Sequence, residues 1–299
     1  MNHPDIAIVN FSSIPDRQVL HAIRSVNRQV MDDFLPIWGS AYVCQLHNTP
    51  FGLSSEEDMA DEPVKAAGVI YLVDEAHLTG ALGYHASNAS EVPYGFVFTD
   101  LGDWTITLSH EVLELIIDPT VNIFVPGPDP RFPGEPDRWL FHTYEVCDAV
   151  ERTSYSIDGV EVSNFVTPQY FHDGDAAGTR NDFLGVGVAS FGVTPGSHLG
   201  VIDPNTWEWD VIYGRENVPS PRNMARCHEF TSKIPRARLD EEGIKSSHLN
   251  ETFERFVGSS KLPAIKRMQG MSRGQRYAEA SKRLRYGRSP VPGANSTPR

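Results

Sequence analysis

The sequence predicts a mixed α/β (α+β) fold, because apolar runs with the spacing of strands alternate with runs that have the spacing of helices. Residues 6–11 are apolar and rich in β-branched side chains, which is typical of a strand. Residues 16–36 place apolar side chains at helical spacing up to Pro36, where the helix is expected to end. Residues 67–74 and 94–99 then predict two strands, of which the first is the clearest buried one. They lead into a helix at 109–118.

The remaining segments divide between short strands and loops. A second strand is predicted at 41–47 and an acidic surface loop at 54–62. The Gly-rich segment 80–88 and the Pro- and Gly-rich segment 126–136 predict loops. A hairpin is expected over 155–165, with its turn at Asp158-Gly159.

Three units are expected along the chain: a metal-binding core at 1–153, a β-rich extension packed on it at 154–235, and a helix followed by a flexible tail at 236–299. The tail changes character, because its charged residues over 261–288 are almost all basic. An acidic partner or nucleic acid is a possible ligand for that stretch.

Composition indicates a soluble protein of ordinary type. The chain has 299 residues, of which 40% are hydrophobic and 22% charged, and its net charge is −13. A protein with this much net negative charge should not attract nucleic acid non-specifically through its main part. The three cysteines, Cys44, Cys147 and Cys227, match no zinc pattern and are too few for a disulfide framework. No signal peptide or membrane-spanning run is seen, so a cytoplasmic protein that does not enter membranes is expected.

The helix around residues 109–118 carries the strongest chemical signal. Helical spacing places His110, Glu114 and Asp118 on one face, with Glu111 one step around it. A His and a Glu four residues apart can hold one metal ion, and a neighbouring carboxylate can take a proton from water on that ion. The pattern is a variant of H-E-x-x-H in which Glu114 replaces the second His.

The alternative reading is a core helix whose polar side chains form a solvated edge. The helix is apolar around most of its circumference, so it should be buried, and buried His and Glu side chains must be paired or bound to a metal. The spacing therefore favours a metal site over a solvated edge.

A catalytic zinc takes three protein ligands, so one must come from another segment. Asp118 lies too far along the helix and is expected to orient a ligand or make a structural contact. Glu145 and Asp148 could return on a second helix beside the first, with one on the metal and the other orienting a ligand. His142 is a competing donor, and a surface helix face remains the alternative for all three. His85 could line a substrate pocket or be a hydrogen-bonded loop residue.

The stretch T-L-S-H-E-V-L-E-L-I-I-D-P, followed by Y-E-V-C-D, resembles a zincin-like metallopeptidase family of bacterial and phage-borne proteins with the pattern S-H-E-x-x-E-x-x-x-D-P and then E-x-x-D. The resemblance covers about residues 66–150, including A-L-G-Y-H and V-P-Y-G-F-V-F-T-D. It implies a zincin-like mixed sheet with an active-site helix, in which His110, Glu114 and Glu145 bind Zn²⁺ and Glu111 is the general base.

The resemblance also makes residues 94–99, beginning at Tyr94, the edge strand on which an extended peptide would pair. A zinc-dependent hydrolase that cleaves peptides or proteins is thus expected. The alternatives are a non-catalytic, phage-related binding or structural protein stabilised by a metal, and a degenerate peptidase that binds peptides without cutting them.

Overall fold

A computed structural model describes most of the first 214 residues. The described ranges are 3–47, 65–74, 82–87, 92–100, 103–133, 135, 138–172, 174–175, 178–206 and 209–214. Their architecture is mixed α/β, with several sheets and few helices. None of the helices in these ranges has both the length and the hydropathy that crossing a membrane requires.

The main sheet of the described residues has five strands in the order β2-β1-β3-β5-β4. The first four strands in that order run parallel, and β4 is antiparallel to β5. The strands are β1 (Asp5–Asn10), β2 (Val43–His47), β3 (Gly68–Val73), β4 (Gly83–Ser87) and β5 (Pro93–Phe98). Every residue of β3 is buried, which confirms the prediction of a buried strand at 67–74.

The first helical segment continues beyond the predicted end at Pro36. Helix α1 (Asp16–Arg28) runs into a π-helical turn (Gln29–Phe34) and then into α2 (Leu35–Trp38). Pro36 lies in the first turn of α2, where a backbone N–H is not required, so the proline does not interrupt the chain path. The prediction of a helix was correct and that of its end was wrong.

Helix α3 (Trp104–Ile117) is the predicted motif helix, and it is buried over most of its length. Val112, Leu113 and Leu115 are fully buried in the larger hydrophobic core, between the main sheet and the segments after α3. The helix ends at Asp118, as predicted, because the residue before a proline disfavours helical backbone.

Two predictions next to this helix were wrong. Residues 83–87 of the segment predicted as a loop form strand β4, and β5 is flanked by β3 and β4, so it is not the edge strand. Gly83, which suggested a loop, serves close packing instead. A Cβ on Gly83 would lie 2.6 Å from Thr107 Cγ2 and 2.7 Å from the backbone oxygen of Phe96.

The second sheet, of four antiparallel strands in the described residues, has the order β11-β10-β7-β6. Its members are β6 (Phe124–Pro128), β7 (Trp139–Thr143), β10 (His198–Ile202) and β11 (Trp209–Tyr213). Part of the loop predicted at 126–136 is therefore strand. The second helix expected around Glu145 is absent from the described residues, because β7 is followed by a turn and a short 3-10 helix (Asp148–Val150). Strands from before and after residue 153 share this sheet.

The predicted hairpin is confirmed as β8 (Ser154–Ile157) and β9 (Val160–Ser163). Asp158 and Gly159 both have positive φ, which a two-residue turn between twisted strands requires. Strand β9 packs against α3. A short 3-10 helix (Pro168–Phe171) follows. The predicted acidic loop at 54–62, helix at 239–257 and basic stretch at 261–288 lie outside the described residues.

Candidate metal centre

Three segments bring histidine and acidic side chains together beneath the main sheet. Helix α3 supplies His110, Glu111 and Glu114, because Glu114 lies three residues after Glu111 and four after His110, and such positions are neighbours on a helix surface. Strand β4 supplies His85, whose neighbour Tyr84 belongs to the aromatic cluster on the other face of the sheet. The turn after β7 supplies Glu145 and Asp148.

One group of possible ligands surrounds His85. Its Nδ1 lies 3.1 Å from Glu111 Oε2 and 3.7 Å from Glu114 Oε2. On the opposite side of the ring, Nε2 lies 3.7 Å from Glu145 Oε2. The His85 side chain has no solvent exposure. His85, Glu111 and Glu114 offer ligand atoms that all lie within 4.8 Å of one another, so together they could hold a metal ion.

A second group lies on the other side of Glu114. The Nε2 atom of His110 is 3.2 Å from Glu114 Oε2 and also 3.2 Å from Asp148 Oδ1. These three residues form another set that could hold a metal ion. His110 is 12% exposed at its side chain, so this group is the more open of the two.

Both groups contain Glu114, and its two carboxylate oxygens have different neighbours. Oε2 faces the two histidines, whereas Oε1 accepts a hydrogen bond of 3.1 Å from the backbone N–H of Cys147. This bond ties the carboxylate of helix α3 to the turn that carries Asp148. The position of Glu114 is therefore fixed by the backbone as well as by its side-chain neighbours.

A further pair extends the second group towards solvent. His198, on β10, has Nε2 3.4 Å from Asp148 Oδ2 and Nδ1 2.8 Å from Glu151 Oε2. Its side chain is 24% exposed. Asp148 thus lies between His110 and His198, and Glu151 orients the outer imidazole.

Burial and mutual repulsion control the charges in this cluster. Burial raises the pKa of Glu114 to about 8, with further contributions from Asp148 and Glu145, against the opposing effect of His110. Burial lowers the pKa of His85, but the charges of Glu145, Glu111 and Glu114 outweigh it and raise the pKa to about 9. Carboxyl groups packed this closely require cations or shared protons.

Comparison of the chain with family models, curated proteins and solved structures found no match.

The structure brings together most of the predicted site residues but in a different grouping. His110 and Glu114 lie side by side, as the helical spacing predicted. Asp148 rather than Glu145 is the acidic side chain next to His110, while Glu145 faces His85. The difference arises because Glu145 lies in the non-helical segment after β7 and Asp148 begins a short 3-10 helix, so the spacing of an α-helix does not apply to the two residues.

Three predicted residues lie away from both groups. Asp118 Oδ1 and Oδ2 accept hydrogen bonds from the backbone N–H groups of Asn122 and Ile123, so Asp118 caps the chain after α3. His142 Nε2 donates to the backbone oxygen of Pro128 at 3.0 Å. Tyr94 belongs to the aromatic cluster on the sheet face opposite α3.

The sequence analysis predicted His85 only as a pocket or loop residue, and it did not predict that His198 lies beside the cluster. A signal for His85 was present, since the alternation in β4 turns His85 and Tyr84 to opposite faces once the segment is read as a strand. His198 carries no spacing signal, because β10 reaches Asp148 only through its pairing with β7.

Proposed function

We propose that this protein is a metal-dependent hydrolase, with Zn²⁺ as the ion and His110, Glu114 and Asp148 as its ligands. The observation that carries the proposal is the spacing of their donor atoms. A tetrahedral zinc with bonds of about 2.0–2.2 Å has ligand atoms about 3.3 Å apart. The two distances from His110 Nε2 are both 3.2 Å.

The donor types also fit a catalytic zinc. One imidazole and two carboxylates leave a fourth position, which a catalytic site needs. His110 and His198 are the partly exposed members of the cluster, so a substrate would reach the ion from their side. A bound divalent ion supplies Lewis acidity, which polarises a carbonyl and makes water a better nucleophile.

The protein's own residues then supply proton transfer and orientation. Glu111 follows His110 on α3 and is not one of the three proposed ligands. We assign it the role of general base, as the sequence motif suggests. His85 holds Glu111 Oε2 at 3.1 Å and fixes the direction of the carboxylate. Cys147 N–H holds Glu114 Oε1 in the same way.

A peptide is the proposed substrate class. The zincin resemblance of the motif supports it, and so does the position of β4, which pairs with β5 on one side and has no other partner among the described strands. An extended peptide can add to such an edge through backbone hydrogen bonds. In this proposal the peptide strand would pair along the free edge of β4.

The proposal predicts that Glu111→Gln retains the ion on His110, Glu114 and Asp148 but loses turnover by about 100-fold or more, because amide replacement removes the proton acceptor. Zinc-loaded protein would be screened against a peptide library, and the variant tested on the best substrate. Glu161→Gln, at the exposed position of β9, is the matched control and should retain full activity. Equal turnover in wild type and Glu111→Gln would refute the role of Glu111, and absence of bound ion in wild type would refute the proposal.

A further inference from the structure

We propose that the centre holds two divalent ions that share Glu114. One lies on His110, Glu114 and Asp148, and the second on His85, Glu111 and Glu114. This inference rests on the proposed function for the first ion and adds a second ion with its own ligands.

Distances within the cluster are the first argument. Glu114 Oε2 lies 3.2 Å from His110 Nε2 and 3.7 Å from His85 Nδ1, so the same oxygen faces an imidazole nitrogen on each side. Bonds of about 2 Å to a single ion place its donors about 3.3 Å apart. The two distances from His110 Nε2 are 3.2 Å, and those from His85 Nδ1 are 3.1 Å to Glu111 Oε2 and 3.7 Å to Glu114 Oε2, so each group could close on an ion of its own with small side-chain movements. Enzymes that use two ions together hold them about 3.5–4 Å apart, a separation that ligand sets sharing one carboxylate can provide.

The second argument is the state of His85. Its side chain is fully buried, and its Nε2 has no hydrogen-bond partner among the described residues, although it points at Glu145 Oε2 from 3.7 Å. A histidine that binds a metal through one nitrogen characteristically presents the other nitrogen to a carboxylate. An ion on Nδ1 makes Nε2 the protonated nitrogen and directs its N–H to Glu145.

Charge is the third argument. Four carboxyl groups of the cluster are at most 5% exposed, namely Glu111, Glu114, Glu145 and Asp148. Metal ions bind the ionised carboxylates and neutral histidines; in that state one divalent ion would leave about two negative charges buried together and two ions would leave about none, which is far less costly. Burial makes uncompensated negative charge in the cluster costly, so binding of a second cation is favoured.

The two positions differ in access to solvent. His85 is fully buried and His110 is partly exposed, so the ion on His110 occupies the open position and the ion on His85 the closed one. Glu111 would hold the closed ion through Oε2, which faces His85, and its Oε1 is left to accept a proton. A closed site is characteristic of a structural or supporting ion, and an open one of a catalytic ion.

The test is metal stoichiometry of the full-length chain, freed of metal with chelator and titrated with Zn²⁺ by calorimetry, with elemental analysis after desalting. Two ions per chain are expected in wild type and one each in His85→Ala and Asp148→Ala. His142→Gln, a buried histidine outside both groups, is the control and should bind two. Thermal melts of all variants establish that they are folded.

Loading with Co²⁺ gives a second readout on the wild type alone. Two ions sharing a carboxylate should couple magnetically, so the electron paramagnetic resonance signal per cobalt should fall as the second equivalent is added. If the wild type binds one ion, His85→Ala also binds one and Asp148→Ala binds none, the second ion is overturned and the proposed function stays intact. Failure to bind any ion would overturn both. Two ions retained in folded His85→Ala would overturn the assignment of ligands.

Discussion

Three histidines in the interior of the described residues fall into two kinds, distinguished by their neighbours. His85 and His110 face carboxylates, and these raise the pKa of each ring above its ordinary value despite the opposing effect of burial. His142 lies against a backbone carbonyl and the ring of Phe191, and burial lowers its pKa to about 4. The carboxylates therefore distinguish a candidate ligand from a packed core residue.

The low pKa of His142 predicts a loss of stability in acid. Above its unfolded pKa of about 6.5 the residue is neutral in both states and has no effect. As the pH falls from there towards 4, the unfolded chain takes up a proton that the folded chain does not, so the free energy of unfolding decreases. The contribution lost between pH 7.5 and pH 5 is about 2 kcal/mol.

Urea unfolding of wild type and His142→Gln at several pH values measures this contribution. The variant has no titrating ring, so the difference in unfolding free energy between the two proteins should change by that amount over the stated range. A difference that is independent of pH would contradict the prediction.

At the scale of elements, the approach of β4 to α3 determines whether His85 can reach Glu111. Gly83 allows this approach, since it faces the helix two residues before His85. Its absent side chain leaves room for Thr107 and for the backbone of the neighbouring strand.

Gly83→Ala should lower the free energy of unfolding by about 1–3 kcal/mol, because the new methyl group would meet the backbone oxygen of Phe96, which cannot rotate away. Metal affinity should fall as well, since Glu111 Oε1 would lie only 3.2 Å from the new atom. Chemical denaturation and zinc titration measure the two effects.

Gly68→Ala is the matched control. Its Cβ would lie 3.0 Å from a methyl carbon of Leu115, which is the end of a flexible side chain and can move. The loss should therefore be smaller than in Gly83→Ala. Equal losses in the two variants would show that close approach at β4 is not special.

The elements predicted correctly from the sequence are those whose spacing of apolar residues and turn residues matches the burial and turns that they have in the structure. The motif helix, its end at Asp118, the β8-β9 hairpin and the buried strand β3 were all correct, because periodicity and turn residues suffice for them. Strand β4 was mistaken for a loop because its glycine, Gly83, serves packing and not a turn. The turn that holds Glu145 was mistaken for a helix.

Of the site, sequence reasoning recovered the part carried by one helix. The pairing of His110 with Glu114 follows from helical spacing. The placement of Asp148 beside His110, and of His85 beside Glu111, depends on contacts between distant segments. No local pattern specifies such contacts, so these partners had to come from the structure.

At the scale of the whole molecule, the two sides of residue 153 are joined by shared packing. Strand β10 pairs with β7, and β9 packs on α3. Val162 and Phe165 are fully buried in the same core cluster as the motif helix.

A fragment of residues 1–153 should therefore fail to fold cooperatively, although the sequence suggested a unit with that boundary. Removal of β9 and β10 would expose apolar surface on α3 and leave β7 with β6 as its only partner in the second sheet of the described residues. Urea unfolding and the dispersion of amide proton shifts measure the outcome, with the full chain as control. A sharp unfolding transition in the fragment would contradict the prediction.

The wide separation of the proposed ligands along the chain has a consequence for the unfolded state. Joining His85 to Asp148 closes a loop of about 60 residues, and the entropy lost by such a chain increases with the logarithm of its length. Two ions bridged by Glu114 would constrain this loop as a covalent crosslink does. Both cysteines in the described residues, Cys44 and Cys147, are free and buried. In that part of the chain, bound metal would serve as the reversible equivalent of a disulfide.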